Sequence, residues 1–266
     1  MSNMKIDVHI TCWNEQAILP FTLQHYSSFC DRIYIHDNMS SDRTPDICMD
    51  FPKVIVKFWD SKTEKGKFND NEARKVKYEA YKKYSKGKVD WVILADCDEL
   101  IYHPNIKGIL KTYKDKGINY PVIQGAQMAS HEFPRYESSP SLTDIVKTGV
   151  LDDPFPPDEV FIEEKVWGYS KPIIFSADLD VFLSLGSHFI NGDKSETDKF
   201  VFSEKADIKL LHYKYLAEEY VVNRHNQLGK RLSSYNIENE YSLGWLDEEG
   251  LISSYKDCLS KSEIII

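Results

Sequence analysis

The sequence has 266 residues, 42% of them hydrophobic and 28% charged, with a formal net charge of -9. A chain of this kind buries a sizeable core, and its composition excludes a disordered polymer. The acidic balance and the lack of a long basic tract argue against nucleic acid as a partner, and no apolar run reaches the length of a membrane span. The N-terminal stretch MSNMKIDVHITCWNE has neither the basic nor the apolar region of a signal peptide. Five scattered cysteines (Cys12, Cys30, Cys48, Cys97, Cys258) form no CxxC pair. A reduced, cytoplasmic setting is the expectation.

Along the first hundred residues, short β-branched runs alternate with helical spacing. Ile6–Thr11, Arg32–His36, Val54–Trp59 and Trp91–Ala95 are strand-sized. Between them, Leu19, Leu23, Tyr26 and Cys30 fall on one helical face, as do Ala73, Val76, Ala80 and Tyr84. Asp42 precedes a short helix with Pro45 in its first turn. The β-α-β-α-β-α-β order predicts an α/β fold with a parallel sheet covered on both faces. A helix over Pro104–Lys116, stopped by Gly117, and a strand over Pro121–Gln127 follow. Ser130 to Lys171 is rich in proline and poor in periodicity, the mark of a long functional loop. Short strands are expected around Ile173–Phe175, Val181–Leu183 and Ile208–Leu211. Helices are expected over Leu216–Leu232, with Val221, His225, Leu228 and Leu232 on one side, and near Leu251–Leu259. The chain is expected to divide into the alternating α/β part, residues 1–128, and a second part of the same domain with the long loop and C-terminal helices, residues 129–266.

The most informative segment is Asp90–Leu100, DWVILADCDEL, an apolar run ending in acid-x-acid-acid. In a parallel sheet, ligands bind beyond the carboxyl ends of the strands, where Asp96 and Asp98 would project. Two such carboxylates repel unless a cation lies between them, and a hard divalent ion would in turn hold a diphosphate. The plain alternative is an acidic helix cap without a metal. Thr11, Asn14 and Glu15 follow the first strand on the same sheet edge, as ligand contacts or as helix caps. Asp37 ends the second strand, where a carboxylate can meet a base or ribose; Asn38–Asp42 is also an ordinary turn. Asn69, Asp70 and Arg74 open the third helix, and Arg74 is either the cation for a diphosphate or a surface residue.

This arrangement resembles the GT-A glycosyltransferases, in particular the family 2-like group. The matching residues are Asn14–Glu15, the D-N-M-S-S-D-R-T run at Asp37–Thr44, Ala73–Arg74 and the D-C-D of Asp96–Asp98. Their order and spacing match over roughly the first hundred residues. The resemblance implies that Asp37 contacts the nucleobase and that Arg74 lies near the nucleotide. It implies that Asp98 is the main ligand of Mn²⁺ or Mg²⁺, and that Asp96 meets ribose or metal. In the second half, Lys171–Pro172, Gly186–His188 and Leu211–Tyr213 resemble a subgroup with K-P, G-x-H and L-H-Y elements. His212, at the end of an apolar strand, is the candidate metal ligand, with His188 as its rival. Glu132 is the best-placed catalytic base; Asp152, Asp153, Asp158 and Glu159 compete with it.

The implied reaction moves a sugar from a nucleoside diphosphate sugar to a glycan or other hydroxyl acceptor, with inversion. Metal and Arg74 would stabilise the departing diphosphate, and a carboxylate would take the acceptor proton. A DxD phosphohydrolase places its motif on the first strand and follows it with Thr or Val, unlike Leu100 here. A nucleotidyltransferase would carry a Gly-rich basic loop where CWNEQA stands. A non-catalytic glycan- or nucleotide-binding module would keep the same fold, and Trp59, Trp167, Tyr136 and Tyr169 would serve sugar stacking in either case.

Overall fold

The computed structural model describes residues 4–137, 140–157, 159–160, 168–190 and 198–266. Asp158 and Trp167, named above, lie outside the described residues.

The chain is an α/β protein with two mixed sheets flanked by helices. In the first half β1 (Ile6–Cys12), α1 (Leu19–Ser27), β2 (Arg32–Asp37), α2 (Thr44–Met49), β3 (Val54–Phe58), α3 (Asp70–Tyr84) and β4 (Trp91–Asp96) alternate as the periodicity predicts. The first sheet has the order β3-β2-β1-β4-β8, with β1 to β4 parallel and β8 (Ile174–Ser176) antiparallel on the edge beside β4. The order turns back between β1 and β4. That is the switch point, where a crevice opens beyond the strands' carboxyl ends. The register pairs Thr11 with Asp96 there.

β1 is buried along nearly its whole length, yet its sequence alternates apolar and polar residues. Ile6, Val8, Ile10 and Cys12 enter the main core, whereas Asp7, His9 and Thr11 point to the other face. The polar residues are satisfied there. His9 Nδ1 lies 3.1 Å from His36 Nε2, and His9 Nε2 lies 2.8 Å from Ser85 Oγ. Ser85 Oγ donates to Asp7 over 2.6 Å, and Asp7 also receives Arg32 at 2.7 Å. α3 packs on β1, and its buried stripe is Ala73, Lys77, Ala80 and Tyr81. The expected stripe had Val76 and Tyr84 instead. Lys77 turns inward because Asp96 supplies its counter-charge.

The second sheet has the order β10-β7-β6-β9-β5. It comprises β5 (Glu99–Tyr102), β6 (Ile123–Ser130), β7 (Thr148–Leu151), β9 (Ile208–Leu216) and β10 (Glu263–Ile264). Only Cys97 and Asp98 separate β4 of the first sheet from β5 of the second. α4 (Ile106–Asp115) links β5 to β6, and Gly117, at φ +74°, follows its end. α5 (Leu142–Ile145), α6 (Glu218–Gly229), α7 (Ser234–Glu238) and α8 (Glu248–Lys261) complete the chain. Val181–Leu183 is not a strand; Leu183 makes only an isolated bridge to Ile190. α8 buries Leu251, Tyr255 and Cys258 as its spacing predicts. Among the described residues no helix is long and apolar enough to cross a membrane.

Candidate active site

A cavity of about 350 Å³ opens at the switch point, lined among others by Thr11, Trp13, Asp96, Asp98, Lys171 and His212. Asp96 ends β4. Its Oδ1 accepts from Thr11 Oγ1 at 2.8 Å and from Lys77 Nζ at 3.0 Å. Burial opposes its ionisation, but the Lys77 and Lys171 ammonium groups outweigh it and hold the carboxyl at about 2. Glu99 follows in β5. It accepts from the Asp96 backbone N–H at 2.9 Å and pairs with Lys171 at 2.6 Å, both partners being buried. The K-P element therefore brings a cation under the DxD turn.

Asp98 lies on the two-residue link between the sheets and is buried. It is ionised well below the ordinary carboxylate range: burial works against this, and the Arg224 and Lys171 cations overcome it. His212, on β9, is paired with Glu99 on one side and with Gln127 of β6 on the other. Its Nε2 is 3.6 Å from Asp98 Oδ2. The Gln127 amide nitrogen is spent on the carbonyls of Met128 and His212, at 3.1 and 2.9 Å. Its oxygen is thus an acceptor and takes His212 Nδ1–H at 2.7 Å. Burial drives the ring's pKa down to about 3. The imidazole is therefore neutral, with an unprotonated Nε2 facing Asp98, the form that ligates metals. Tyr169 stacks on it at 5.2 Å between ring centroids. His188 lines the same cavity, with its Nδ1 buried and unpartnered among the described residues.

Asp37 ends β2 fully buried. Its Oδ1 accepts from Ser40 N at 2.8 Å, and its Oδ2 has no partner among the described residues. Arg231, after α6, lies 4.0 Å over the Trp13 ring and donates to Asn38 and Gly66, while its Nη1 is likewise buried without a partner. Trp59, Phe68 and Trp245 also line the cavity, as do Trp13 and Arg231. Arg74 is not among the lining residues; it stands 4.8 Å over the Phe182 ring and donates to Asn71. Asn69 caps α3, and Asp70 lines the cavity.

Asn14, at φ +51°, ties the loop after β1 to the loop after β2, its Oδ1 accepting from Ser41 N at 2.7 Å. Glu15 is bound by Arg224, a residue that sequence reasoning missed; burial raises its carboxyl to about 6 against that pairing. A second cavity of about 720 Å³ adjoins the first and shares Trp13, Glu15, Arg224 and Leu228 with it. Glu132 lines this second cavity, as do Phe133, Glu219 and Tyr220. Asp152 is engaged elsewhere: it accepts from Tyr169 N at 2.6 Å.

No protein-family model and no curated protein matches the chain. Among solved structures, it is similar to S. aureus TarS with a TM-score of 0.45 and 13% identity, over 92% of this chain and 43% of that one. It thus spans less than half the length of TarS. The 1-349 fragment of TarS in complex with UDP-GlcNAc gives 0.43 and 15%, over 92% and 72% of the two chains. A 4-diphosphocytidyl-2C-methyl-D-erythritol synthase gives 0.40 and 12%, over 74% and 85%.

Proposed function

We propose that this protein transfers a glycosyl group from a nucleoside diphosphate sugar to a hydroxyl acceptor, with inversion, using Mn²⁺ or Mg²⁺ held at Asp98. The observation that carries the reading is the approach of His212 Nε2 to within 3.6 Å of Asp98 Oδ2 beside the switch-point cavity. The donor set fits such an ion in part. Among the described residues no three His, Cys, Asp or Glu side chains gather into a metal-holding group. Ions that bind nucleotides need only one or two protein ligands, because phosphate oxygens and water complete the shell.

When bound, the ion would neutralise charge gathering on the departing diphosphate. The chain's own cations act in the same sense. Lys171, Lys214 and Arg224 line the cavity, and charge fixed in a buried site needs no reorganisation during reaction. Asp37 is fully buried and lines neither cavity, whereas Arg231 lines the first and keeps a donor without a partner among the described residues, which suits the edge of a nucleobase. The tryptophans beside Arg231 suit its face. Glu132, in the adjoining cavity, is the proposed base for the acceptor hydroxyl proton.

Thermal shifts with UDP, GDP, ADP and CDP, each with and without Mn²⁺, test the donor reading. One nucleotide should stabilise the protein in Mn²⁺ only, by about 2.7 kcal/mol at a hundredfold excess over Kd. Equal shifts in EDTA would remove the metal from the proposal. NMR of the product sugar reads the anomeric configuration, and release of free sugar without an acceptor product would favour a hydrolase.

A further inference from the structure

The Asp98 oxygen that faces His212 already has an occupant. Arg224 Nη1 donates to Oδ2 over 2.9 Å, and His212 Nε2 lies 3.6 Å from that same atom. The other edge of the guanidinium grips both oxygens of Glu15, Nε at 3.0 and 3.1 Å and Nη2 at 2.6 Å. Arg224 thus bridges two carboxylates from the ends of β1 and β4, and it borders both cavities. A guanidinium stays charged at every accessible pH and satisfies a buried carboxylate that would otherwise be unpaired. At contact distance it also repels any second cation brought to the same oxygen. Lys77 differs: it holds Asp96 on Oδ1 together with Thr11.

We propose that Arg224 is a positioning residue that holds Asp98 in the ligand-free protein and competes with the divalent cation for Asp98 Oδ2. The cation then binds tightly only when a nucleoside diphosphate offers the guanidinium another anion. Glu15 keeps the arginine tethered at the boundary between the cavities throughout. This inference rests on the reading of Asp98 and His212 as the cation's ligands. It gives the site an order of assembly, in which free metal alone is a poor ligand.

Mn²⁺ titration followed by electron paramagnetic resonance tests it without an activity assay. In Arg224→Gln, nucleotide-free Mn²⁺ affinity should rise about tenfold or more over the wild type. In an Asp98→Asn background that gain should vanish, because the carboxylate that the guanidinium releases is gone. Lys214→Gln removes a charge from the same cavity without touching Asp98 and should give a clearly smaller gain. Unchanged affinity in Arg224→Gln, a gain that survives Asp98→Asn, or an equal gain in Lys214→Gln would each overturn the inference. If Arg224→Gln does not fold, Arg224→Lys, which lacks the fork that spans both carboxylates, should show a smaller gain in the same direction; no gain overturns it. Failure of every nucleotide to promote Mn²⁺ binding in the wild type would sink the proposed function, whereas Mn²⁺ alone decides the role of Arg224.

Discussion

At the scale of single residues, the side chains proposed for different steps should fail differently. Glu132→Gln keeps the shape of the second cavity and removes proton acceptance. Transfer should fall by about two to four orders of magnitude while donor binding stays near normal. A normal transfer rate would move the base to Asp153 or Glu159. His212→Ala should instead raise the Mn²⁺ concentration needed for half activity, and excess Mn²⁺ should restore part of the rate. An unchanged metal requirement would shift the role to His188. Asp37→Ala should weaken nucleotide binding more than it slows bound donor, because a base contact changes little on the way to the transition state. Steady-state kinetics separate the cases: a fall in kcat with KM unchanged counts against the assignment.

At the scale of elements, what was legible in the sequence follows the range of each interaction. β1 to β4 are short apolar runs bounded by turns, so local pattern reveals them, and Asp96 follows from its place at a strand's end. β5 is invisible to the same reading because it starts beside the acidic turn with no Gly or Pro to announce it. Arg224 sits 126 residues from Asp98 and 209 from Glu15, and nothing near it in sequence distinguishes it from a solvated helix residue. Gln127 is hidden likewise, since its meaning comes only from its register with His212. Gly125 gave a sign that could have been used, for a glycine inside a strand often marks a close backbone approach. A Cβ there would lie 2.1 Å from the Tyr169 carbonyl carbon, so the glycine lets the 168–171 segment lie on β6 and deliver Lys171. Lys171→Met would strand Glu99 as a buried, unpaired charge and should cost about 3–5 kcal/mol by urea unfolding. Lys171→Met combined with Glu99→Leu should recover much of that loss. No recovery would show that Glu99 matters chiefly through its bond to the Asp96 backbone.

At the scale of the whole molecule, buried histidines make stability depend on pH. Burial holds His36 at about 4 and His225 at about 3, and it lowers His9 well below its ordinary value. The unfolded chain takes up these protons near pH 6.5, the folded chain only near 4 or below. Their contribution is therefore complete above pH 6.5 and is lost as pH falls toward 4, each group adding a slope of about 1.4 kcal/mol per pH unit in that window. His25 and His188, held at about 4, and His212, at about 3, act in the same sense. Glu15, raised to about 6, and the carboxyls of Asp37, Asp70 and Glu99, also raised by burial, act in the opposite one. The urea midpoint should fall between pH 7.5 and pH 5; a flat profile would contradict the neutral His9–His36 pair.

The junction at Asp98 has a mechanical consequence. Asp96 is fixed to Thr11 within one sheet, and His212 is fixed to Gln127 within the other. The Asp98 backbone is tied to the second sheet, its carbonyl accepting from Tyr213 N at 2.7 Å, and its carboxylate works as the pointer of a vernier read against Asp96 of the first sheet. A substitution that slides one sheet past the other by a fraction of an ångström would register first as altered cation affinity, before any loss of folding free energy. The place to tune the proposed cation site is thus the packing between the sheets, with every carboxylate left untouched.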